Sequence, residues 1–111
     1  IAQAVIYVAT APKSNAAYRA YGAAMSAAKQ HGSLVPPKHI LNAPTRLMKD
    51  EGFGRGYAYD HDTAEGFSGQ NYFPDALPRQ TFYDPPERGF EREIRKRLDY
   101  WAKIRKDKGG E

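Results

Sequence analysis

Prolines and glycines in the middle of the chain restrict where regular secondary structure can form. Seven of the eight prolines lie between residues 36 and 86, and three glycines alternate with Phe53 and Arg55 in the run GFGRG. Proline interrupts a helix, and glycine weakens helices and strands alike. The sequence therefore predicts helices near both ends of the chain and a long irregular segment between them, rich in proline, glycine and aromatic residues.

Two helices are predicted before this irregular segment. Residues 1–10 carry apolar side chains at helical spacing and are apolar enough to be well buried. Pro12 ends this helix, and Ser14 or Asn15 can cap a second one that runs to about Gln30. The second helix is rich in alanine, whose small side chain lets a neighbouring helix approach closely. Its larger side chains share one face at Tyr18, Tyr21 and Met25.

Only short elements are predicted in the middle of the chain. Thr45 can cap a helix that ends near Glu51. Tyr57 and Tyr59 can begin an extended piece, which allows at most one short β-hairpin with Asn71–Phe73. The predicted fold class is therefore mainly α, a small helical bundle with a long irregular middle segment.

A last helix is predicted from Pro86 onward. Pro86 suits the first turn of a helix, and Asp84 can cap that turn. Phe90 begins an apolar stripe with four-residue and three-residue spacing. Glu91 lies four residues before Arg95, the favourable order for an ion pair on a solvated helix face.

Length and composition limit the class of protein. A chain of 111 residues corresponds to one domain, so we predict a single domain over residues 1–111. Cysteine is absent, which fits a reducing cytosol, and no apolar run approaches the ~18 residues of a membrane span. We therefore expect a cytoplasmic protein with no membrane partner. The chain begins at Ile1 and its first methionine is Met25, so we expect a piece of a longer protein.

Charge is distributed unevenly, although the net charge is only +4. The first 49 residues contain six basic residues and no Asp or Glu, and five acidic residues follow between Asp50 and Glu65. Such asymmetry can attract nucleic acid, and it can also bring the basic patch of one copy against the acidic patch of the next. For any single charge, solvated surface is the simplest interpretation.

No complete catalytic or cofactor-binding motif is present. The run GFGRG lacks the Gly-Lys-Ser/Thr ending of a phosphate loop, so it indicates a tight turn. Asp60, His61 and Asp62 form the one candidate metal cluster, but adjacent residues rarely close a coordination sphere. The serines have no visible base, and there is no cysteine nucleophile. We therefore predict no catalytic, cofactor-binding or metal-binding residue in this chain.

Aromatic and basic residues alternate in the irregular segment. Tyr57, Tyr59 and Tyr72 lie among Arg55 and Arg79. Exposed aromatic side chains next to arginines can stack the bases of a single strand. The other interpretation is that these aromatic residues cover the core of a chain with little regular structure in its middle, and we favour it.

The sequence contains, in this order, the stretches APKSNAAY (Ala11–Tyr18), NAPTRLMK (Asn42–Lys49), GFGRGYAYDHD (Gly52–Asp62), GQNYFPD (Gly69–Asp75) and PPERGFEREIRKRLDYW (Pro85–Trp101). Together these five stretches resemble the C-terminal domain of the bacterial replication-associated recombination protein A family, whose eukaryotic relative is the Werner-helicase-interacting ATPase. They extend over nearly the whole chain. One departure is Asp60, which stands where family patterns often have alanine between Tyr59 and His61.

The resemblance implies an all-helical oligomerisation domain that follows the AAA+ modules of a longer ATPase. Members of the family are related to clamp-loader subunits and to the Holliday-junction motor, and they act at stalled forks, on single-stranded gaps and on duplex ends. The resemblance further implies a homotetramer that is cytoplasmic and associated with the nucleoid. ATP and magnesium are expected for the full-length protein and no cofactor for this piece, which holds none of the family's catalytic positions.

We therefore predict that the chain is a homotetramerisation domain without enzymatic activity of its own. DNA is a predicted partner of the full-length protein, with replisome or single-stranded-DNA-binding proteins as further partners. The alternatives are a module that binds single-stranded or forked DNA and a domain that docks a replisome protein. The candidate residues for a subunit interface or a DNA contact are Arg46, Lys49, Arg55, Tyr57, Tyr59, His61 and Tyr72.

Overall fold

The computed structural model describes residues 1–109 and confirms a mainly α-helical chain with no strand in that range. Two short 3₁₀ turns, at Lys38–Ile40 and Asp60–Asp62, interrupt the irregular segment. The four α-helices are α1 (Ala2–Thr10), α2 (Ala16–His31), α3 (Arg46–Asp50) and α4 (Glu91–Asp107).

Two compact units make up the chain. Unit 1 contains Ile1–Gln30 and Thr81–Tyr100, so it holds α1, nearly all of α2 and the first part of α4. Unit 2 contains His31–Gln80 and the chain from Trp101 onward, so it holds α3, both 3₁₀ turns and the end of α4.

Local signals determine both ends of α2 as the sequence predicts. The Ser14 hydroxyl accepts a hydrogen bond from the Ala16 backbone N–H at 3.2 Å, at the start of α2. After α2, Gly32 takes a φ of +64°, the left-handed conformation typical of the residue beyond a helix. Ala16 is buried, at 8% exposure.

The start of α4 differs from the prediction, because the helix begins at Glu91 and not at Pro86. Gly89 takes a φ of +56°, which interrupts helical geometry just before α4. Asp84 does not cap the helix. Its carboxylate accepts a hydrogen bond from Arg95 Nη2 at 2.6 Å, and Arg95 Nε donates to the Pro85 carbonyl at 2.8 Å.

Glu91 has a different partner from the one predicted. Its carboxylate accepts a hydrogen bond from the Tyr83 hydroxyl at 2.8 Å, while Arg95 is bonded to Asp84. Burial raises the pKa of Tyr83, and the hydrogen bond with Glu91 raises it further. These contacts hold the extended residues before α4 against the helix, so the predicted pairing within the helix is replaced by pairing with the preceding segment.

Helix α1 forms where predicted, but the prediction that it is well buried is wrong. Every residue of α1 is exposed. Val5, Ile6 and Val8 expose 61%, 63% and 67% of their surface. The spacing of apolar residues indicates a helix and a face to be covered, but it does not indicate that the same chain covers it.

In unit 2, glycines and caps shape the turns around α3. The Thr45 hydroxyl accepts a hydrogen bond from the Met48 backbone N–H at 3.2 Å, which confirms the predicted cap. Gly54 takes a φ of +73°, and its N–H donates to the Lys38 carbonyl at 2.7 Å. A Cβ at Gly54 would lie 3.2 Å from the Leu41 carbonyl oxygen. The chain therefore needs glycine here for both its conformation and its close approach.

The predicted hairpin between Tyr57 and Asn71–Phe73 is absent, since residues 1–109 contain no strand. The side chain of Gln70 takes the place of a pairing strand. Its Oε1 accepts from the Ala58 backbone N–H at 3.1 Å, and its Nε2 donates to the Gly56 carbonyl at 2.7 Å. One amide therefore satisfies two backbone groups that a second strand would otherwise bond.

Phe67 joins the loop after the second 3₁₀ turn to the end of α4. Its ring stacks on Trp101 with centroids 5.8 Å apart, and the Arg105 guanidinium lies 5.2 Å from the Phe67 ring centroid. Lys108 Nζ donates to the Phe67 carbonyl at 3.0 Å and to a Glu65 carboxylate oxygen at 2.8 Å. The hydrogen bond from Lys108 lowers the pKa of Glu65.

Candidate functional site

The irregular segment of unit 2 forms an open cleft of about 660 Å³. One part of its wall comes from the 3₁₀ turn at Lys38–Ile40 and the residues just after it. The rest of the wall comes from Gly54, Tyr57, Asp60 and Tyr72. Its polar and aromatic lining residues are His39, Asn42, Tyr57, Asp60 and Tyr72.

Hydrogen bonds from its own loop hold Asp60 in place. Ser68 N–H donates to Asp60 Oδ1 at 2.7 Å, and the Thr63 hydroxyl donates to the Asp60 carbonyl at 2.7 Å. The same Thr63 oxygen accepts from the Phe67 N–H at 2.7 Å. The loop from 60 to 68 is therefore closed on itself, and the carboxylate occupies a defined position in the cleft wall.

Hydrogen bonds also keep Asp60 ionised. The bond with the Ser68 side chain, and then that with the Ser68 backbone N–H, lower the pKa of Asp60 from its ordinary value of 3.8. His61 and Lys108 lower it further by charge, while desolvation opposes the shift. Hydrogen bonds to the charged form of a carboxyl group always act in this direction.

We expect Ser68→Ala to raise the pKa of Asp60 toward 3.8, because the largest cause of the lowered pKa is removed. A carboxyl with a lowered pKa stabilises the fold above its unfolded pKa, and this contribution is lost as the pH falls through the folded value. The variant should thus be less stable than the parent at pH 7 and converge with it below pH 3.8. An NMR titration of the Asp60 carboxyl carbon and urea unfolding at both pH values measure this, with Ser33→Ala as control. An unchanged Asp60 pKa would contradict the assignment.

Aromatic side chains form the rest of the cleft wall. The rings of His39 and Tyr72 stack with centroids 6.0 Å apart and an interplanar angle of 29°. His39 Nε2 is buried and has no hydrogen-bond partner within residues 1–109, so packing holds this imidazole. Tyr57 and Tyr72 remain about half exposed, at 53% and 45%. Flat aromatic surface is therefore accessible to a ligand in the cleft.

Only two of the seven predicted site residues, Tyr57 and Tyr72, line the cleft. Tyr59 and His61 form a separate pair, with ring centroids 4.9 Å apart and an interplanar angle of 50°. The remaining three are exposed basic residues that do not line the cleft, namely Arg46, Lys49 and Arg55. The structure therefore brings two of the four aromatic candidates, and none of the basic ones, to the cleft.

His39 and Asn42 line the cleft although no sequence pattern indicates this, and the sequence presents Asp60 only as an acidic loop residue or part of a metal cluster. No local spacing relates His39 to Tyr72, which is 33 residues away and stacks on it. Asp60 is positioned by Ser68, eight residues later. Within residues 1–109, no three His, Cys, Asp or Glu side chains are grouped so that they could hold a metal ion.

Unit 1 presents a second candidate surface on its two N-terminal helices. Helix α1 exposes its apolar side chains, and α2 exposes 80% of Tyr18 and 67% of Tyr21. Beside them, a groove of about 500 Å³ is lined by Tyr7, Pro12 and Ile94 among others. No helix of the described part of the chain has the length and apolar character needed to cross a membrane.

A protein family and several known proteins are similar to this chain. Residues 1–102 match the family described as MgsA AAA+ ATPase C terminal. Replication-associated recombination protein A of Coxiella burnetii is 47% identical over 105 residues, 94% of this chain and 24% of that protein. The protein of the same name from Escherichia coli K12 is 44% identical over 103 residues, 92% of this chain and 23% of that protein.

A eukaryotic relative shows the same likeness at lower identity. ATPase WRNIP1 of Dictyostelium discoideum is 33% identical over 89 residues, 76% of this chain and 10% of that protein. The chain thus spans about a quarter of the bacterial relatives' length and less of this one. These matches confirm the resemblance seen in the five sequence stretches, and the chain belongs to the C-terminal domain family of the MgsA AAA+ ATPases.

Proposed function

We propose that this chain is the homo-oligomerisation domain of an AAA+ ATPase and that it assembles tetramers. The observation that carries the proposal is the exposure of α1, a helix whose apolar side chains are not covered in unit 1. Water-exposed apolar surface of this extent is uncommon on monomers and typical of protein interfaces.

Helix α1 cannot be stable alone in water. It has nine residues, and isolated helices shorter than ~12–15 residues are marginal without packing. No residue between Ile1 and Ala11 is charged, so α1 has no face of charged side chains for water to solvate. Covering Val5, Ile6 and Val8 would contribute about 1.5–3 kcal/mol for each side chain fully buried. A partner surface is therefore needed to account for this sequence.

Helix α2 suits contact with a second copy. Its exposed large apolar side chains, Tyr18, Tyr21 and Met25, stand on a helix in which seven of the 16 residues are alanine. A symmetric interface uses the same patch on both subunits, so that patch must supply both the protruding side chains and the flat surface that receives them. The alternation of tyrosine and alanine on α2 meets this requirement.

Charge also favours association between copies. The segment up to residue 49 contains basic residues and no acid, while Asp50–Glu65 is acidic. Opposite potentials on different parts of one chain attract a second copy and help to select its orientation.

For the longer protein we propose an ATPase that uses ATP and magnesium and acts on DNA in replication and recombination. The support is the names of the relatives, which are AAA+ and replication-associated recombination proteins. This chain spans about a quarter of the bacterial relatives' length, and we assign the nucleotide-dependent chemistry to the rest of the protein.

Light scattering coupled to size-exclusion chromatography tests the oligomerisation directly on the 111-residue chain. We expect a mass four times 12.5 kDa at tens of micromolar protein. The mass should fall on dilution, because association follows mass action. A monomer at 12.5 kDa over this range would overturn the proposal and indicate that other parts of the longer protein cover α1.

A further inference from the structure

We propose that the cleft of unit 2 binds an arginine side chain carried by a peptide segment of a partner protein. The cleft combines the Asp60 carboxylate with the aromatic faces of Tyr57 and Tyr72. This proposal is independent of homo-oligomerisation through α1 and α2, because the residues involved lie in unit 2.

The charge of the cleft selects a cationic group. Asp60 is ionised, and no lysine or arginine is among the described residues that line the cleft. The surrounding stretch from Asp50 to Glu65 contains five acidic residues against Arg55 alone as a permanent cation. Lys38 is close in sequence, but its Nζ is engaged with the Glu51 carbonyl at 3.1 Å. Lys108 acts on Asp60 by its charge, but its Nζ is bonded to Glu65 and to the Phe67 carbonyl. A phosphate or carboxylate ligand would therefore meet repulsion here.

The aromatic wall favours arginine over lysine. A guanidinium is planar, stacks on aromatic rings and can bond both oxygens of a carboxylate, whereas an ammonium is a compact and strongly hydrated charge. Tyr57 and Tyr72 present about half of their surface, and the Tyr72 ring is supported by stacking on His39. The cleft thus offers a flat face and a carboxylate together.

The Asp60 carboxylate and the Asn42 side chain can accept further hydrogen bonds. An ionised carboxylate offers about four acceptor positions, and the bonds from the Ser68 N–H and the Ser68 side chain use two of them. The Asn42 side chain, which also lines the cleft, adds a carbonyl acceptor. A guanidinium carries five N–H donors and no acceptor, so this set of acceptors complements it.

The size of the cleft indicates a peptide and not a free amino acid. Its volume of about 660 Å³ lies in the range of pockets that hold drug-sized ligands, roughly 300–1,000 Å³. Ile40, Leu41 and Ala43 form an aliphatic part of the lining. An arginine flanked by leucines would fill the charged and the aliphatic parts together.

NMR titration of the 111-residue chain tests this inference with a capped peptide that has one arginine between two leucines. The matched peptide contains citrulline, which keeps the shape and removes the charge. We expect shifts at Tyr57 and Tyr72 and an affinity at least about tenfold higher for the arginine peptide, since hydrogen bonds between charged groups are the strong ones. Equal affinities for the two peptides would overturn the proposal.

Asp60→Asn should lower the affinity for the arginine peptide by about tenfold or more while an amide oxygen remains to accept from Ser68. Asp62→Asn is the matched control, because this exposed neighbour does not line the cleft. Tyr57→Leu, a second variant outside the Asp60 loop, should weaken binding as well. Equal losses for Asn at 60 and 62 would contradict the site.

Two other outcomes would also count against the inference. If a single-stranded oligonucleotide shifts Tyr57 and Tyr72 while the arginine peptide does not, the cleft binds bases. If Asp60→Asn lowers the mass of the oligomer, the cation in the cleft comes from a second copy of this chain and not from a partner protein.

Discussion

Val5→Glu combined with Val8→Glu is expected to convert the proposed tetramer to a monomer. Both valines lie on α1 and expose more than 60% of their surface, so neither change disturbs packing within unit 1. In the assembled state each glutamate would bury an unpaired charge in place of an apolar side chain, which is costly. We expect association to weaken by at least about 100-fold, as loss of two buried valines at ~1.5 kcal/mol each already implies.

Sedimentation velocity across a concentration series measures this loss. Gln3→Glu is the matched control, because it introduces one glutamate at an exposed position of the same helix where the residue is already polar. The helical content measured by circular dichroism should fall by no more than the share of α1, which has nine residues. A double variant with the parent's mass at low micromolar concentration would exclude α1 as the interface.

Gly89→Ala is expected to lower the free energy of unfolding by about 2–6 kcal/mol. Two separate causes contribute. Gly89 has a φ of +56°, and a residue with a side chain in this conformation costs roughly 1–3 kcal/mol. A Cβ at Gly89 would also lie 2.7 Å from Pro12 Cγ and 3.2 Å from Pro12 Cδ, and overpacking of this kind costs typically ~1–3 kcal/mol.

Gly66→Ala separates the two causes. Gly66 has a similar φ of +65°, but a Cβ there would meet no atom within 4 Å. It should therefore lose only the conformational part, about 1–3 kcal/mol. Urea unfolding of both variants and the parent at one protein concentration makes the comparison. Equal losses at the two positions would show that the contact of Gly89 with Pro12 is not close in solution.

Features that depend on a few neighbouring residues could be predicted from the sequence. The Thr45 cap needs only the N–H of Met48, three residues later, and Gly32 ends α2 by its own backbone conformation. The helix of residues 1–10 follows from the spacing of its apolar side chains. In each case the stabilising contact lies within one turn, so the local pattern contains the information.

Features that depend on distant residues could not be predicted. The expected hairpin is absent because Gln70 bonds the backbone at Gly56 and Ala58, which are 14 and 12 residues away. The last helix starts later than expected because Arg95 draws Asp84 into an ion pair and leaves it unable to cap. A polar side chain can form hydrogen bonds with several different groups. Which of these bonds it forms is decided only when the chain folds.

The cleft also depends on contacts between residues that are distant in the sequence. Tyr57 and Tyr72 were predicted as site residues because they are aromatic residues in a segment without regular structure. His39 was not selected, since nothing within reach of it in the sequence shows that Tyr72 will stack on its ring. Asp60 was seen only beside His61 and Asp62, because the role of Ser68 depends on how the loop closes.

By itself, the sequence determined the helical class, the irregular middle and the family of this chain. These follow from apolar spacing, from the backbone limits of proline and glycine, and from ordered motifs, all of which act over short distances. Only the tertiary structure decided that α1 stays uncovered in unit 1 and that His39, Asp60 and Tyr72 share one cleft. Burial and the choice of hydrogen-bond partner depend on residues far apart in the chain, so they are properties of the folded molecule.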